Sequence, residues 1–108
     1  MQNIIWLLNN CPTKEEARKI GMLLLENRII ACYDIIPERE TAYFWPPQSG
    51  QIEKGKGSLL IGVTFEEKFS AAEKLICENH SDKVPFVGSI AISQVNEDYR
   101  NWLKNELS

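Results

Sequence analysis

Hydrophobic and polar positions follow two different periods along the chain, and each change of period indicates a new structural element. Residues 3 to 9, NIIWLLN, form a short apolar run that polar residues end, which is typical of a buried strand. From about residue 14 to 27 apolar side chains recur every three or four positions, which predicts an amphipathic helix. Thr13 and Glu16 have the spacing of a capping box, in which the Glu16 carboxylate reaches back to the helix start.

The middle of the chain predicts a hairpin and a second helix. Residues 29 to 64 hold two apolar stretches on either side of the turn cluster PPQSG, so we expect a long β-hairpin. Pro37 interrupts the first stretch and is expected to end or bulge that strand. Thr64 and Glu67 repeat the capping-box spacing and predict a helix that ends near Asn79.

The last third of the sequence predicts one more strand and one more helix. Residues 84 to 95, VPFVGSIAISQV, alternate in part and form the last main strand. Asn96 then precedes a short helix with an acidic first turn, whose Tyr99, Trp102 and Leu103 can dock on the sheet.

The order strand, helix, strand, strand, helix, strand, helix is that of a split βαβ repeat. We therefore predict a single domain over residues 1–108 of the α+β class, with a ferredoxin-like antiparallel sheet, helices on one face and an extra C-terminal helix. The other sheet face also carries apolar residues, with Ile35 among them, so we expect it to be buried in a homo-oligomer. The substitution Ile35→Asp should then dissociate or unfold the assembly.

Composition and charge argue against several classes of protein. The 108 residues carry a net charge of -3 and no Lys/Arg cluster, which disfavours nucleic acid and membranes as partners. The run IIWLL is too short for a membrane span and lacks a basic flank, which predicts a cytoplasmic protein. Three cysteines without a signal peptide indicate reduced thiols. One histidine without triad-like spacing predicts that the protein is not an enzyme.

The segment CENHSDKVPFV, residues 77 to 87, contains the single histidine and is the main candidate for a metal site. Imidazole and thiolate are ligands for copper or zinc, although two ligands fall short of the usual four. Cys11 precedes a helix start, where a lowered pKa would make it reactive or a soft metal ligand. The candidate metal ligands are His80 and Cys11, with Cys77 or Asp82 as weaker helpers. The structural alternative is that Cys11 and Cys77 are packed thiols and His80 is a polar residue at a helix end.

Four segments in order, NNCPTKEEARKI, ENRIIACYDIIP, TAYFW and NEDYRNWL, resemble the CutA family of divalent-cation tolerance proteins over about residues 4 to 105. The resemblance implies a ferredoxin-like subunit in a homotrimer, similar in build to the PII-type signalling proteins. It also implies a link to copper or another divalent metal and no established enzymatic reaction. A PII-like sensor of a small ligand and a structural trimer without metal remain open as alternatives.

The chain departs from the family pattern at two places. HSDKVP keeps His80 and Pro85 but has Asp82 and Lys83 where tyrosine and glutamate are usual. WPPQSGQIE is longer than the family's turn and has Gln51 where a lysine is usual. Both departures indicate a retained scaffold with a changed ligand site.

Overall fold

The structure is a computed structural model that describes residues 2 to 107, which form a four-stranded sheet and three α-helices. In chain order the elements are β1 (Ile4–Cys11), α1 (Lys14–Glu26), β2 (Cys32–Phe44), β3 (Ile52–Phe65), α2 (Phe69–Asn79), β4 (Val87–Ile92) and α3 (Glu97–Leu107). The strand order is β2-β3-β1-β4, and every neighbouring pair is antiparallel. This topology confirms the predicted ferredoxin-like α+β fold. Within these residues no helix is long and apolar enough to cross a membrane.

The helices α1 and α2 cover one face of the sheet and enclose the main core. Leu7 of β1 is buried there against Ile20 and Leu24 of α1 and Ile76 of α2. The spacing of four between Ile20 and Leu24 puts both side chains on one side of α1, as the apolar period predicts. Ile35 also packs against this cluster. The expectation that Ile35 lies on the uncovered face is therefore wrong, because the pleat of β2 turns it toward the helices.

Helix α3 covers only one end of the opposite sheet face. Its Leu103 and Leu107 pack against Ile4, Val63 and Phe65. The remainder of that face carries five exposed or half-buried hydrophobic side chains without a covering element in residues 2 to 107, and we call this surface the open face. It consists of Trp6, Leu8, Ile36, Leu59 and Ile90.

The hairpin of β2 and β3 extends beyond the helices as an arm. The register between the two strands shifts between Ile36 and Arg39, and Glu38 there has a φ of 60°. This bulge confirms the expectation for Pro37. Beyond the bulge most side chains of β2 are exposed, with Phe44 at 73%, whereas Arg39 and Thr41 are half-buried. The molecule is accordingly elongated, with principal extents of 47 × 26 × 24 Å.

The two predicted capping boxes form only in part. Thr13 Oγ1 accepts a hydrogen bond from the Glu16 amide at 3.1 Å, but the Glu16 carboxylate binds Ser81 instead of reaching back. The second box is wrong. Thr64 belongs to β3, and its buried hydroxyl donates to the carbonyl oxygen of Ile29, while α2 begins at Phe69 without a side-chain cap. The pairing of β1 with β3 continues past Thr64 and leaves no helix start for it to cap.

Candidate functional site

His80 terminates α2, and its imidazole ring is fully buried. Its Nε2 donates to the carbonyl oxygen of Asn10 at 2.8 Å, and its Nδ1 accepts from the amide of Asp82 at 3.0 Å. Since a carbonyl can only accept and an amide can only donate, these partners fix the tautomer with the proton on Nε2. Both ring nitrogens of the neutral histidine are thus engaged with the backbone.

Two carboxylates approach Nδ1 of His80. Glu16 Oε2 lies 3.4 Å from it and Asp82 Oδ2 lies 3.9 Å from it. Glu16 is held in this position because its two oxygens accept from the Ser81 amide at 3.0 Å and from the Ser81 hydroxyl at 2.7 Å. The start of α1 and the segment after α2 are tied together by these bonds. The sequence does not reveal Glu16 at this site, because its spacing to Thr13 indicates a local role at the helix start.

Cys11 lies near this cluster as a buried, protonated thiol. Its Sγ donates to Asn9 Oδ1 at 3.1 Å. Burial raises the pKa of Cys11 from 9.0 to about 12, and the negative charges of Glu16 and Asp82 act in the same direction. The positive charge of Arg39 opposes this shift. The suggestion of a lowered pKa at the helix start is therefore wrong, and the packed-thiol alternative is what the structure shows.

Cys77 lies apart from the other candidate ligands. Its side chain is exposed on α2, so the alternative that Cys77 is a packed thiol is wrong. The buried positions of α2 are Ala72 and Ile76, and one further residue rotates the side chain by about 100° out of that stripe. Among residues 2 to 107 no group of three or more His, Cys, Asp or Glu side chains is arranged to hold a metal ion. Metal binding by His80 and Cys11 stays a prediction.

A cleft of about 530 Å³ opens between the hairpin arm and the segment that follows His80. Asp82 belongs both to the His80 cluster and to the cleft wall. The cleft brings together three cationic side chains, one carboxylate and several aromatic rings. Its charged and aromatic lining residues are Arg39, Lys56, Lys83, Asp82, Tyr43, Trp45 and Phe86.

Arg39 lines this cleft, and the sequence does not predict this position for it. It follows the bulge in β2, and the register shift there sets which residues of the arm face the cleft. Gly57 lies opposite, so close that an added Cβ would stand 2.7 Å from Arg39 Nη2. The sequence carries no signal of this contact, since a charged residue in PERE is ordinarily a solvated one.

The fold and the cleft define a small α+β protein with a ferredoxin-like subunit and a binding cleft beside its hairpin. The sequence comparison makes the assignment more specific, because the family model described as CutA1 divalent ion tolerance protein matches residues 5–106. The chain belongs to this family, and the resemblance of its four segments is confirmed.

Known relatives agree with this assignment. A divalent-cation tolerance protein CutA from Pyrococcus horikoshii is 36% identical over 95 residues, which cover 88% of this chain and 89% of the relative. A protein CutA homolog from Danio rerio is 31% identical over 90% of this chain, but the chain spans only 63% of that relative's length. The crystal structure of a divalent ion tolerance protein CutA1 from Ehrlichia chaffeensis superposes with a TM-score of 0.91 at 27% identity, covering 100% of this chain and 98% of that one.

Proposed function

We propose that this protein supports tolerance of divalent metal ions, copper among them, and that it works as a homotrimer. The family description supports the role in ion tolerance. The open face supports the oligomer, because Trp6 and Ile90 remain 43% and 50% exposed on the subunit and lie side by side on paired strands. A contiguous apolar surface of this kind is typical of an interface. The number three follows from the family resemblance.

A charged side chain on the open face tests the oligomer and its role together. Ile90→Glu would place an unpaired carboxylate in the proposed interface, at a cost of several kcal/mol per subunit contact. The matched control is Met22→Glu on α1, because Met22 is similarly exposed at 43% but lies away from the open face. We expect the Ile90 variant to lose the trimer in light scattering and the control to keep it.

The same two variants test the link to ion tolerance. Each is expressed in a copper-sensitive bacterial strain that lacks its own CutA protein, beside the wild type. We expect the wild type and Met22→Glu to restore growth on copper and Ile90→Glu to fail. Restoration by none of the three would contradict the tolerance role, and restoration by a monomeric Ile90→Glu would contradict the need for a trimer.

A second candidate function is direct binding of a divalent ion at His80. It is favoured by the approach of the Glu16 and Asp82 carboxylates to within 4 Å of Nδ1. The fit is incomplete within the subunit, because Nδ1 already accepts from the Asp82 amide and the Cys11 thiol, whose pKa is raised to about 12, must lose its proton before it can bind an ion. An ion would have to displace that hydrogen bond or draw further ligands from a neighbouring copy.

Calorimetric titration of the reduced, metal-free protein with copper or zinc tests this candidate. Sub-micromolar binding at a fixed ratio per subunit, lost in His80→Ala, would support it. No binding by the wild type would leave His80 as a buried structural residue. The proposal further holds that the protein is cytoplasmic and catalyses no reaction, and cell fractionation of the tagged native protein tests the location.

A further inference from the structure

Arg39 carries one buried guanidinium nitrogen, Nε, that the subunit itself does not satisfy. Its Nε is buried and has no hydrogen-bond partner within residues 2 to 107, and no carboxylate in that range forms an ion pair with it. A buried charged donor without an acceptor is costly, whereas an ionised acceptor at the same place makes the strongest class of hydrogen bond. The missing partner of Arg39 is therefore expected to be an anion from outside the subunit.

The charges around Arg39 favour the same sign of ligand. Lys56 and Lys83 line the same cleft, and Asp82 is the one carboxylate among its lining residues. The lining thus carries two more positive than negative charges, in a concave site where low-dielectric walls strengthen the field. This local balance is opposite to the net charge of -3 on the whole chain.

The rest of the cleft favours a ligand that is more than a simple ion. Tyr43, Trp45 and Phe86 contribute aromatic surface beside the cationic groups. The volume of about 530 Å³ lies in the range of pockets that bind small organic molecules. Inorganic phosphate would leave most of that space and all of the aromatic surface unused.

We propose that this cleft binds a small organic anion, whose carboxylate or phosphate group pairs with Arg39 and whose planar ring packs on Tyr43 and Trp45. The planar guanidinium matches either anionic group with two parallel hydrogen bonds. The inference goes beyond ion tolerance and requires no metal. It gives the chain a site at which a small metabolite can be sensed.

Three probes separate the possible sources of the anion. Benzoate offers a carboxylate on a ring, adenosine monophosphate offers a phosphate with a ring, and inorganic phosphate offers the charge alone. Each is titrated into the assembled protein by calorimetry and by the quenching of tryptophan fluorescence. Arg39→Met removes the guanidinium and keeps the length of the side chain. The matched control is Lys54→Met, which removes an exposed positive charge of β3 outside the cleft lining.

We expect saturable binding of one ring-bearing probe, weakened about tenfold or more in Arg39→Met and unchanged in Lys54→Met. The melting temperature of Arg39→Met should not fall, because the buried Nε contributes no hydrogen bond within the subunit. Equal binding by Arg39→Met, or no binding of any probe, would overturn the proposal. Phosphate binding as tight as that of the ring-bearing probes would overturn the role of the aromatic surface. A trimer that falls apart in Arg39→Met would also overturn it, since a neighbouring copy would then be the partner of Arg39.

Discussion

The bond between Glu16 and Ser81 joins the start of α1 to the segment that forms one wall of the cleft, and its removal should have a measurable cost. Glu16→Ala removes the acceptor of two hydrogen bonds, at 3.0 and 2.7 Å, from a side chain that is 17% exposed. Hydrogen bonds to a charged group contribute roughly 1.5–3 kcal/mol each when buried. Ser81 itself is exposed and can bind water once Glu16 is gone, so we take about 1.5 kcal/mol for the two bonds together.

Glu15→Ala is the matched control. Glu15 also lies in the first turn of α1, so both changes lose the same favourable interaction with the helix dipole, about 0.3–1 kcal/mol. We expect Glu16→Ala to lower the free energy of unfolding by about 1.5 kcal/mol more than Glu15→Ala. The assay is urea unfolding followed by circular dichroism at one fixed subunit concentration, because assembly shifts apparent stability. Equal losses in the two variants would refute the reasoning, since the Ser81 contacts would then contribute nothing.

Other consequences concern the buried thiol and a glycine of β3. Iodoacetamide at about pH 8 should modify Cys77 and leave Cys11 unmodified in the folded protein, because Cys11 is buried and its pKa is raised to about 12. Mass spectrometry follows the two reactions, and equal rates of modification would contradict this expectation. The folded state retains the Cys11 proton that the unfolded chain releases above 9.0, so stability should fall with rising pH between 9.0 and about 12, by at most about 1.4 kcal/mol per unit, and the decline should be shallower in Cys11→Ala. Gly57→Ala should destabilise the protein by about 1–3 kcal/mol, because the new Cβ would overlap the carbonyl oxygen of Cys11. In the control Gly55→Ala the new Cβ meets only Thr41, at 3.8 Å, and stability should change by less than about 0.5 kcal/mol. Similar melting temperatures for the two variants would contradict the close approach of Gly57 to Cys11.

The fold was predictable because its elements have regular hydrophobic periods. The spacing of Ile20 and Leu24 indicates α1, and the turn cluster PPQSG between two apolar stretches indicates the β2–β3 hairpin. Thr64 shows the limit of such local rules, since the spacing of a cap is equally compatible with a strand that continues one residue further, to Phe65. Long-range strand pairing decides between these alternatives, and no sequence window contains it.

The candidate site was predictable only where neighbours in sequence are neighbours in space. The backbone amide of Asp82 donates a hydrogen bond to His80 Nδ1, two residues earlier in the chain, and the sequence predicts both residues as candidate metal ligands. Glu16 and Arg39 lie in the same region although they are far from His80 along the chain. The position of Glu16 depends on the packing of α1 against the segment after α2, and that of Arg39 depends on the bulge in β2. The packed-thiol interpretation of Cys77 is wrong because Cys77 lies in the last turn of α2, two residues before Asn79, where the sequence leaves the orientation of the side chain open.

The central claim is that the open face joins three copies of this chain into the working protein. The most direct test is the mass of the wild-type protein by sedimentation equilibrium in reducing buffer. We expect a single species of about 37 kDa, three times the chain mass of 12.4 kDa, that persists on dilution. A species of 12.4 kDa at all concentrations would contradict it, because the open face would then be exposed to water in the functional protein.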